Sequence, residues 1–253
     1  KFWLQDTSEE FIIDGRSYSI QEDCYGKGWN WIAEIRTLVL SNYHGTGIFA
    51  TGDITILLKQ IDNQIKSSHG PGIHIHQGNL RLSGSNFLSI TGDEEGIFID
   101  SGTLEITDIY LIINTKGYGI YTSGMIAINH SNIDIHSETT AIISTSGESH
   151  TTDKSSLKIF GLKTGIDLVA DCKVYKGRYQ IECPDGCGII SHSGSFTFTE
   201  SIFDLVCGSC CILLENGNLT TSNINGTLHG TTGMQINGSS SIDSSKITIS
   251  GED

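Results

Sequence analysis

The chain is poor in proline, with two among 253 residues, and it has no run of about 20 apolar residues. Without such a run, no segment is predicted to span a bilayer as a helix. Scarce proline suits strands that donate nearly every backbone N–H to a ladder. Helix-forming residues at 3.6-residue spacing are also lacking, since Thr, Ser, Asn and Gly fill the positions between apolar residues. The sequence therefore predicts an all-β fold.

Positive charge is also scarce, because 15 Lys and Arg face 29 Asp and Glu, for a net charge of −14. Nucleic acids and anionic membranes require a basic surface, so neither is an expected partner. Neutral glycans, cations or a basic protein are compatible with this charge. No signal peptide is visible, and the start at Lys1 suggests a processed or trimmed chain. The 30 glycines suit corners that need positive φ.

What the chain does have is a repeat of 22 to 25 residues, marked by a small residue followed by an apolar one. The nine pairs are Gly47-Ile48, Gly72-Ile73, Gly96-Ile97, Gly119-Ile120, Ala141-Ile142, Gly165-Ile166, Gly188-Ile189, Cys211-Ile212 and Gly233-Met234. A period in this range without helical signal predicts the stacked coils of a solenoid. The framework of leucine-rich repeats is absent, and a propeller needs a longer unit.

Each repeat contains three short bursts of alternating apolar residues bounded by turn residues, which is the pattern of strands. We therefore predict a right-handed parallel β-helix of about nine coils, with three strands per coil, over residues 47–253. The apolar residues of the nine pairs should form an interior ladder. At about 4.8 Å per coil, the rod would be roughly 40 Å long.

Residues 1–46 lie outside the repeat and are predicted to form an N-terminal β cap. The Asp14-Gly15 pair predicts a hairpin turn. Trp29 and Trp31 are expected to cover the open end of the solenoid, with sugar stacking as the alternative. The chain ends just after a strand, which favours further domains on the C-terminal side.

Several motifs of the cap and first coil carry a resemblance. They are Phe11-Ile12-Ile13-Asp14-Gly15, Gly28-Trp29-Asn30-Trp31, Thr37-Leu38-Val39-Leu40, Tyr43, Gly47-Ile48 and Gly52-Asp53-Ile54-Thr55-Ile56. With the repeat, which extends the likeness over most of the chain, they resemble the repeat-bearing cell-surface proteins of gut Firmicutes. Those proteins are similar to bacterial carbohydrate-binding domains built as right-handed parallel β-helices, some of which bind calcium and acidic polysaccharides. The resemblance implies fold and surface location, and it brings no residue-level binding motif.

The residue after each inward isoleucine should point outward. In four successive coils this residue has a ring, and the four are Phe49, His74, Phe98 and Tyr121. Rings beside hydrogen-bonding groups suit a pyranose, whose C–H face packs on a ring while its hydroxyls need partners. The alternatives are a purely structural ladder or one covered by a loop.

His74, His76 and Asp100 share the same outward face and form a possible metal site. An enzyme of the lyase or hydrolase type would need paired carboxylates or clustered acidic calcium ligands. No carboxylate on the first-strand face has another beside it. The run Asp93–Glu95 is either a calcium-binding turn or plain surface charge.

Seven cysteines are unevenly placed. Four of them predict two stacked pairs at one corner, and these are Cys183, Cys187, Cys207 and Cys210. Such pairs can bind a tetrahedral metal, form disulfides in an oxidising medium, or pack as small apolar side chains.

The function predicted from the sequence is a non-catalytic carbohydrate-binding or adhesive module, extracellular or attached to the cell wall. Its ligand would be a polysaccharide, or a host or cell-wall glycan, with calcium as the one cofactor considered. The hypothetical site comprises Phe49, His74, His76, Phe98, Asp100 and Tyr121. A passive stalk and a polysaccharide-cleaving enzyme are the alternatives.

Overall fold

The structure is a computed structural model that describes residues 9–147 and 150–251. Residues 1–8 of the predicted cap and 252–253 of the predicted coils lie outside the described part. Within it, three long sheets run along one stack of coils. Each coil gives one strand to each sheet, and strands of successive coils pair in parallel. The predicted β-solenoid of about nine coils with three strands per coil is confirmed.

The strands are numbered in chain order and grouped by sheet. The first sheet contains β1 (Glu10–Ile13), β2 (Arg16–Ser19), β7 (Ile48–Thr51), β10 (Ile73–His76), β13 (Ile97–Ile99), β16 (Ile120–Thr122), β19 (Thr140–Ser144), β22 (Thr164–Leu168), β25 (Cys187–Ser191), β28 (Cys210–Leu214) and β31 (Thr232–Ile236). The second contains β3 (Cys24–Gly26), β4 (Trp29–Ile32), β5 (Thr37–Leu40), β8 (Ile54–Leu58), β11 (Leu80–Ser83), β14 (Leu104–Thr107), β17 (Ile126–Asn129), β20 (His150–Asp153), β23 (Cys172–Tyr175), β26 (Phe196–Thr199), β29 (Leu219–Ser222) and β32 (Ser240–Asp243). The third contains β6 (His44–Gly45), β9 (Asn63–Ser67), β12 (Phe87–Gly92), β15 (Tyr110–Thr115), β18 (Asn132–Ser137), β21 (Ser156–Gly161), β24 (Arg178–Cys183), β27 (Ile202–Cys207), β30 (Asn225–His229) and β33 (Lys246–Ser250).

The core is built from ladders of aliphatic side chains that point inward from all three sheets. In the first sheet Ile73 pairs with Ile97, and Ile97 pairs with Ile120, as the repeat predicts. All three are fully buried. In the third sheet Ile90 and Ile113 form an equivalent ladder. Branched side chains at one register fill the interior from coil to coil, so each coil depends on its neighbours.

Steric crowding explains why a small residue precedes the inward isoleucine of each coil. At Gly165, an added Cβ would lie 2.5 Å from the Ile181 Cγ2 and 2.5 Å from the Gly188 carbonyl oxygen. Gly96 meets Ile113 and the Gly119 carbonyl in the same way. The end of the third strand of a coil packs directly over the start of the first, and at these two glycines that packing leaves no space for a Cβ.

Corners with positive φ are mostly not glycine, contrary to the sequence-based expectation. Among the described residues, twelve non-glycine residues and six glycines have positive φ. Nine of the turns that lead from the second sheet to the third contain one left-handed non-glycine residue. These residues are Asn42, Ser85, Asp108, His130, Lys154, Lys176, Glu200, Asn223 and Ser244.

The N-terminal segment covers one end of the solenoid. A two-residue turn at Asp14 and Gly15, both with positive φ, joins β1 to β2 as predicted. Trp31 is 1% exposed, and its indole N–H donates to the Ile20 carbonyl at 3.0 Å. Trp29 is also buried, which excludes the sugar-stacking alternative for both rings.

The cap and the coils share the same sheets. Strand β1 pairs antiparallel with β7, and β5 pairs parallel with β8. A short 3-10 turn at Ala33–Ile35 is the one helical element among the described residues. Over this part of the chain, no helix has the length and apolar character needed to cross a membrane.

Candidate functional site

The first sheet places Phe49, His74, Phe98 and Tyr121 side by side on its outer face, and we call these four residues the ring ladder. Their ring centroids are separated by 5.0, 5.1 and 4.9 Å in chain order. All four side chains are half-buried. Phe98 and Tyr121 stack face to face, whereas His74 meets both phenylalanines edge-on. The ladder therefore forms a continuous row of half-buried rings along the outer face of the first sheet.

One carboxylate fixes two histidines beside this ladder. His74 Nε2 and His76 Nδ1 both donate to Asp100 Oδ2, at 3.1 and 2.5 Å. Burial raises the pKa of Asp100, but the hydrogen bonds from His76 and His74 outweigh it and hold that pKa below its ordinary value. Asp100 thus orients His74 within the ladder and leaves His76 at its polar edge.

A groove of about 390 Å³ opens next to the first two rings. Its walls include Phe49 and His74, together with Lys66 from β9 and with His69 and Pro71 from the turn that joins the third sheet to the first. The aromatic surface is therefore bordered on this side by hydrogen-bonding and cationic groups.

A second cluster of histidine and carboxylates, on the same sheet, was missed from the sequence. His192 Nδ1 is 2.8 Å from Glu215 Oε2, and its Nε2 is 2.9 Å from Asp167 Oδ1. The hydrogen bond to Glu215 raises the pKa of His192, burial opposes it, and Asp167 adds to the rise. As predicted, the two carboxylates do not lie in one row. The imidazole of His192 nevertheless bridges them diagonally.

The metal hypotheses gain no support from the geometry. Among residues 9–147 and 150–251, no three His, Cys, Asp or Glu side chains are arranged to hold a metal ion. At His74, His76 and Asp100, the histidine nitrogens are directed at the carboxylate itself. Asp93, in the proposed calcium turn, forms an ion pair with Lys116 at 2.7 Å.

The cysteines occupy rows of small residues. Cys183 and Cys207 pair in register as the last residues of β24 and β27 in the third sheet. Other coils have Gly, Thr or Ser at this position. Cys187 pairs with Thr164, and Cys210 pairs with Thr232. All seven thiols are free in the described structure.

The protonation of these thiols favours the packing interpretation. Burial raises the pKa of Cys210 to about 11, and hydrogen bonding to Cys183 raises the pKa of Cys207 further above its ordinary value. Metal binding requires a thiolate. Cys183, Cys207 and Cys210 are buried and are placed as compact apolar side chains, whereas Cys187 is half-buried.

Comparison with known proteins yields no relative. No family model, no curated protein and no solved structure matches the chain. The likeness to surface proteins of gut Firmicutes stays a prediction from the residues, so function has to be argued from the geometry.

Proposed function

We propose that the protein is a non-catalytic carbohydrate-binding module displayed outside the cell or on its surface. The observation that carries the proposal is the ring ladder, four half-exposed rings at nearly constant spacing along the rod. The C–H face of a pyranose packs on such rings, and their spacing lets neighbouring sugars contact neighbouring rings. The ligand is a polysaccharide, or a host or cell-wall glycan.

Polar groups beside the ladder match the hydroxyls of such a ligand. His76 lies next to the rings with its orientation fixed by Asp100, and Lys66 and His69 line the adjoining groove. These groups supply donors at the edge of an apolar surface, which is the usual composition of a sugar site.

The proposal assigns no catalysis to the ladder. Hydrolysis of a glycosidic bond needs two carboxylates on either side of it. Asp100 is the carboxylate beside the rings, and two histidines already occupy one of its oxygens. In the Asp167–His192–Glu215 cluster the imidazole lies between the two carboxylates and is hydrogen-bonded to both.

A glycan array probed with the purified chain, with and without calcium, tests the proposal. Binding without release of new reducing ends or unsaturated products is the expected result. Cleavage products would favour the enzyme alternative, and no binding to any glycan would favour the passive stalk.

The double variant Phe98→Ala/Tyr121→Ala should weaken binding of the selected glycan more than tenfold, because it removes half of the ladder. Isothermal titration calorimetry measures the change, and more than 1.4 kcal/mol is the corresponding loss. The melting temperature should change little, since both side chains face outward.

A matched control lies further along the same row of the same sheet. Ile190 and Leu213 are half-buried and aliphatic, and they pair in register. Ile190→Ala/Leu213→Ala should leave the affinity unchanged. Equal affinity in a folded ladder variant would remove the ladder as the site.

A further inference from the structure

The outer face of the third sheet carries a second groove, separate from the ring ladder. Two concavities of about 410 and 190 Å³ lie on this face. Both are lined by Gln180 and Asp204, so they lie side by side along one row of side chains, and we call the two together the trough. The trough crosses five strands, β18, β21, β24, β27 and β30.

A row of hydrogen-bonding side chains runs along the middle of this trough, between the two concavities. The row runs in register from coil to coil and consists of Asp134, Lys158, Gln180, Asp204 and Thr227. Successive members are about 4.8 Å apart, and the row is roughly 19 Å long. A ligand that follows it lies along the solenoid axis.

Apolar side chains lie on both sides of the row, more of them on one side than on the other. His136 and Phe160 stack with centroids 4.4 Å apart and planes 5° from parallel. Val206 continues that side and is 45% exposed. On the other side, Ile202 is 43% exposed. A ligand of matching chemistry must therefore combine apolar faces with hydrogen-bonding edges.

The charges in the trough select against a charged polymer. Lys158 pairs with Asp134 at 3.6 Å, and Thr227 donates to Asp204. Arg178 and Glu182 add one charge of each sign, and within the described ranges neither side chain has a partner. Groups of both signs thus lie along the axis. A polymer with one sign of charge would meet a like charge within every two or three coils, whereas an uncharged chain would not.

The spacing selects against a peptide. An extended peptide presents side chains on one face every two residues, about 6.6 Å apart, which does not match a row spaced at about 4.8 Å. An extended hexopyranose chain advances by nearly one coil spacing for each sugar. Its rings also alternate the apolar faces and hydroxyl edges that the trough accommodates.

We propose that this trough binds a linear, uncharged polysaccharide that lies along the axis of the solenoid. Each sugar is placed over one coil, with hydroxyls on the central row and C–H faces against Phe160 and its neighbours. The site is independent of the ring ladder and does not rest on the function proposed for it.

The probes are cellohexaose and mannohexaose, with hexagalacturonate as the charged comparison, each titrated calorimetrically into the whole chain. The variant Phe160→Ala/Gln180→Ala removes a ring face and the central amide. Its matched control, Ser89→Ala/Thr91→Ala, lies in the same two rows but on β12, outside the trough. If the double variant does not fold, Gln180→Trp replaces it. Position 180 is exposed, so the larger side chain should be tolerated and should block the centre of the trough.

The expected result is that the wild type and the control bind one of the neutral hexasaccharides. The trough variants should bind it at least tenfold more weakly, and hexagalacturonate should bind more weakly than the neutral sugars. Phe98→Ala/Tyr121→Ala should leave this affinity unchanged.

Three results would overturn the proposal. The first is that neither neutral sugar binds. The second is that the trough variants bind with the same affinity as the wild type. The third is that hexagalacturonate binds more tightly than the neutral sugars. A loss confined to the ladder variant would overturn the trough and support the ladder. A loss confined to the trough variants would support the trough and exclude the ladder for that sugar.

Discussion

His150 is a buried side chain whose protonation the fold opposes. The residue is 3% exposed, and its Nδ1 accepts the backbone N–H of Ile126 at 3.0 Å. Its Nε2 is buried with no hydrogen-bond partner among the described atoms. Burial lowers the pKa of His150 to about 4, from an ordinary value of 6.5. The neutral form is therefore the one built into the coil.

Acid should destabilise the protein through this residue. The unfolded chain binds a proton at His150 near pH 6.5, and the folded chain only near pH 4, so stability falls as pH decreases between these values. The variant His150→Asn has no imidazole to protonate. Its free energy of unfolding should fall less than that of the wild type between pH 7 and 4, by on the order of 2 to 3 kcal/mol. Urea melts at several pH values measure this difference.

His130 supplies the control for the His150 prediction. It is exposed and occupies a left-handed corner that asparagine also tolerates. His130→Asn should keep the pH dependence of the wild type. Parallel pH profiles for all three proteins would show that His150 is not the titrating group.

At the scale of the strand and coil, the register was predictable, because a period-two pattern repeated at fixed spacing leaves one way to stack. Ile97 and Ile120 follow from that pattern, and so do Phe98 and Tyr121 beside them. Contacts between rows were not predictable. The bridge from Asp167 to Glu215 depends on the length and rotation of His192, and a comparison within rows cannot detect it.

The residues that adopt a left-handed conformation at the corners could not be predicted from the sequence either. Coil lengths vary between 22 and 25 residues, so the sequence does not fix which residue absorbs each turn. Asp108 and Lys154 hold left-handed corners that a glycine count cannot locate. The glycines before the inward isoleucines have instead a packing role, which only the meeting of two sheets reveals.

Gly96→Ala tests that packing role. The new methyl group would overlap Ile113 Cγ2 and lie 2.5 Å from the Gly119 carbonyl oxygen. Overpacking of this kind should cost about 1 to 3 kcal/mol of unfolding free energy in a denaturant melt. Gly147→Ala, where a Cβ meets nothing within 4 Å, should cost within about 0.5 kcal/mol.

A double-mutant cycle separates overlap with Ile113 from other causes. Ile113→Ala removes the branched side chain, so Gly96→Ala should cost less in that background than in the wild type. Strictly additive costs would show that contact with the side chain of Ile113 is not the reason why position 96 requires glycine.

The two ends of the described stack differ. At one end the antiparallel strands of the cap bury Trp31 and cover the first coil. At the other, β31, β32 and β33 are the outermost strands of their sheets within the described part. Ile242 is 49% exposed there, and Ile249 is 53% exposed. In a stack where each coil contacts only its neighbours, local stability depends on how many neighbours a coil has.

Amide hydrogen exchange should therefore report a gradient along the rod. Amides of β31, β32 and β33 should exchange faster than those of β13 and β14, because the former strands are paired on one side and the latter on both. Trp31→Ala should cost roughly 3 to 5 kcal/mol locally and accelerate exchange in β5 and β8, with a smaller effect at the far end. Tyr25→Ala, at an 84% exposed ring of the same cap, is the control and should change neither. Equal acceleration of every coil by Trp31→Ala would instead mean that the rod unfolds as one unit, so that the cap determines the stability of the whole chain rather than that of its first coils.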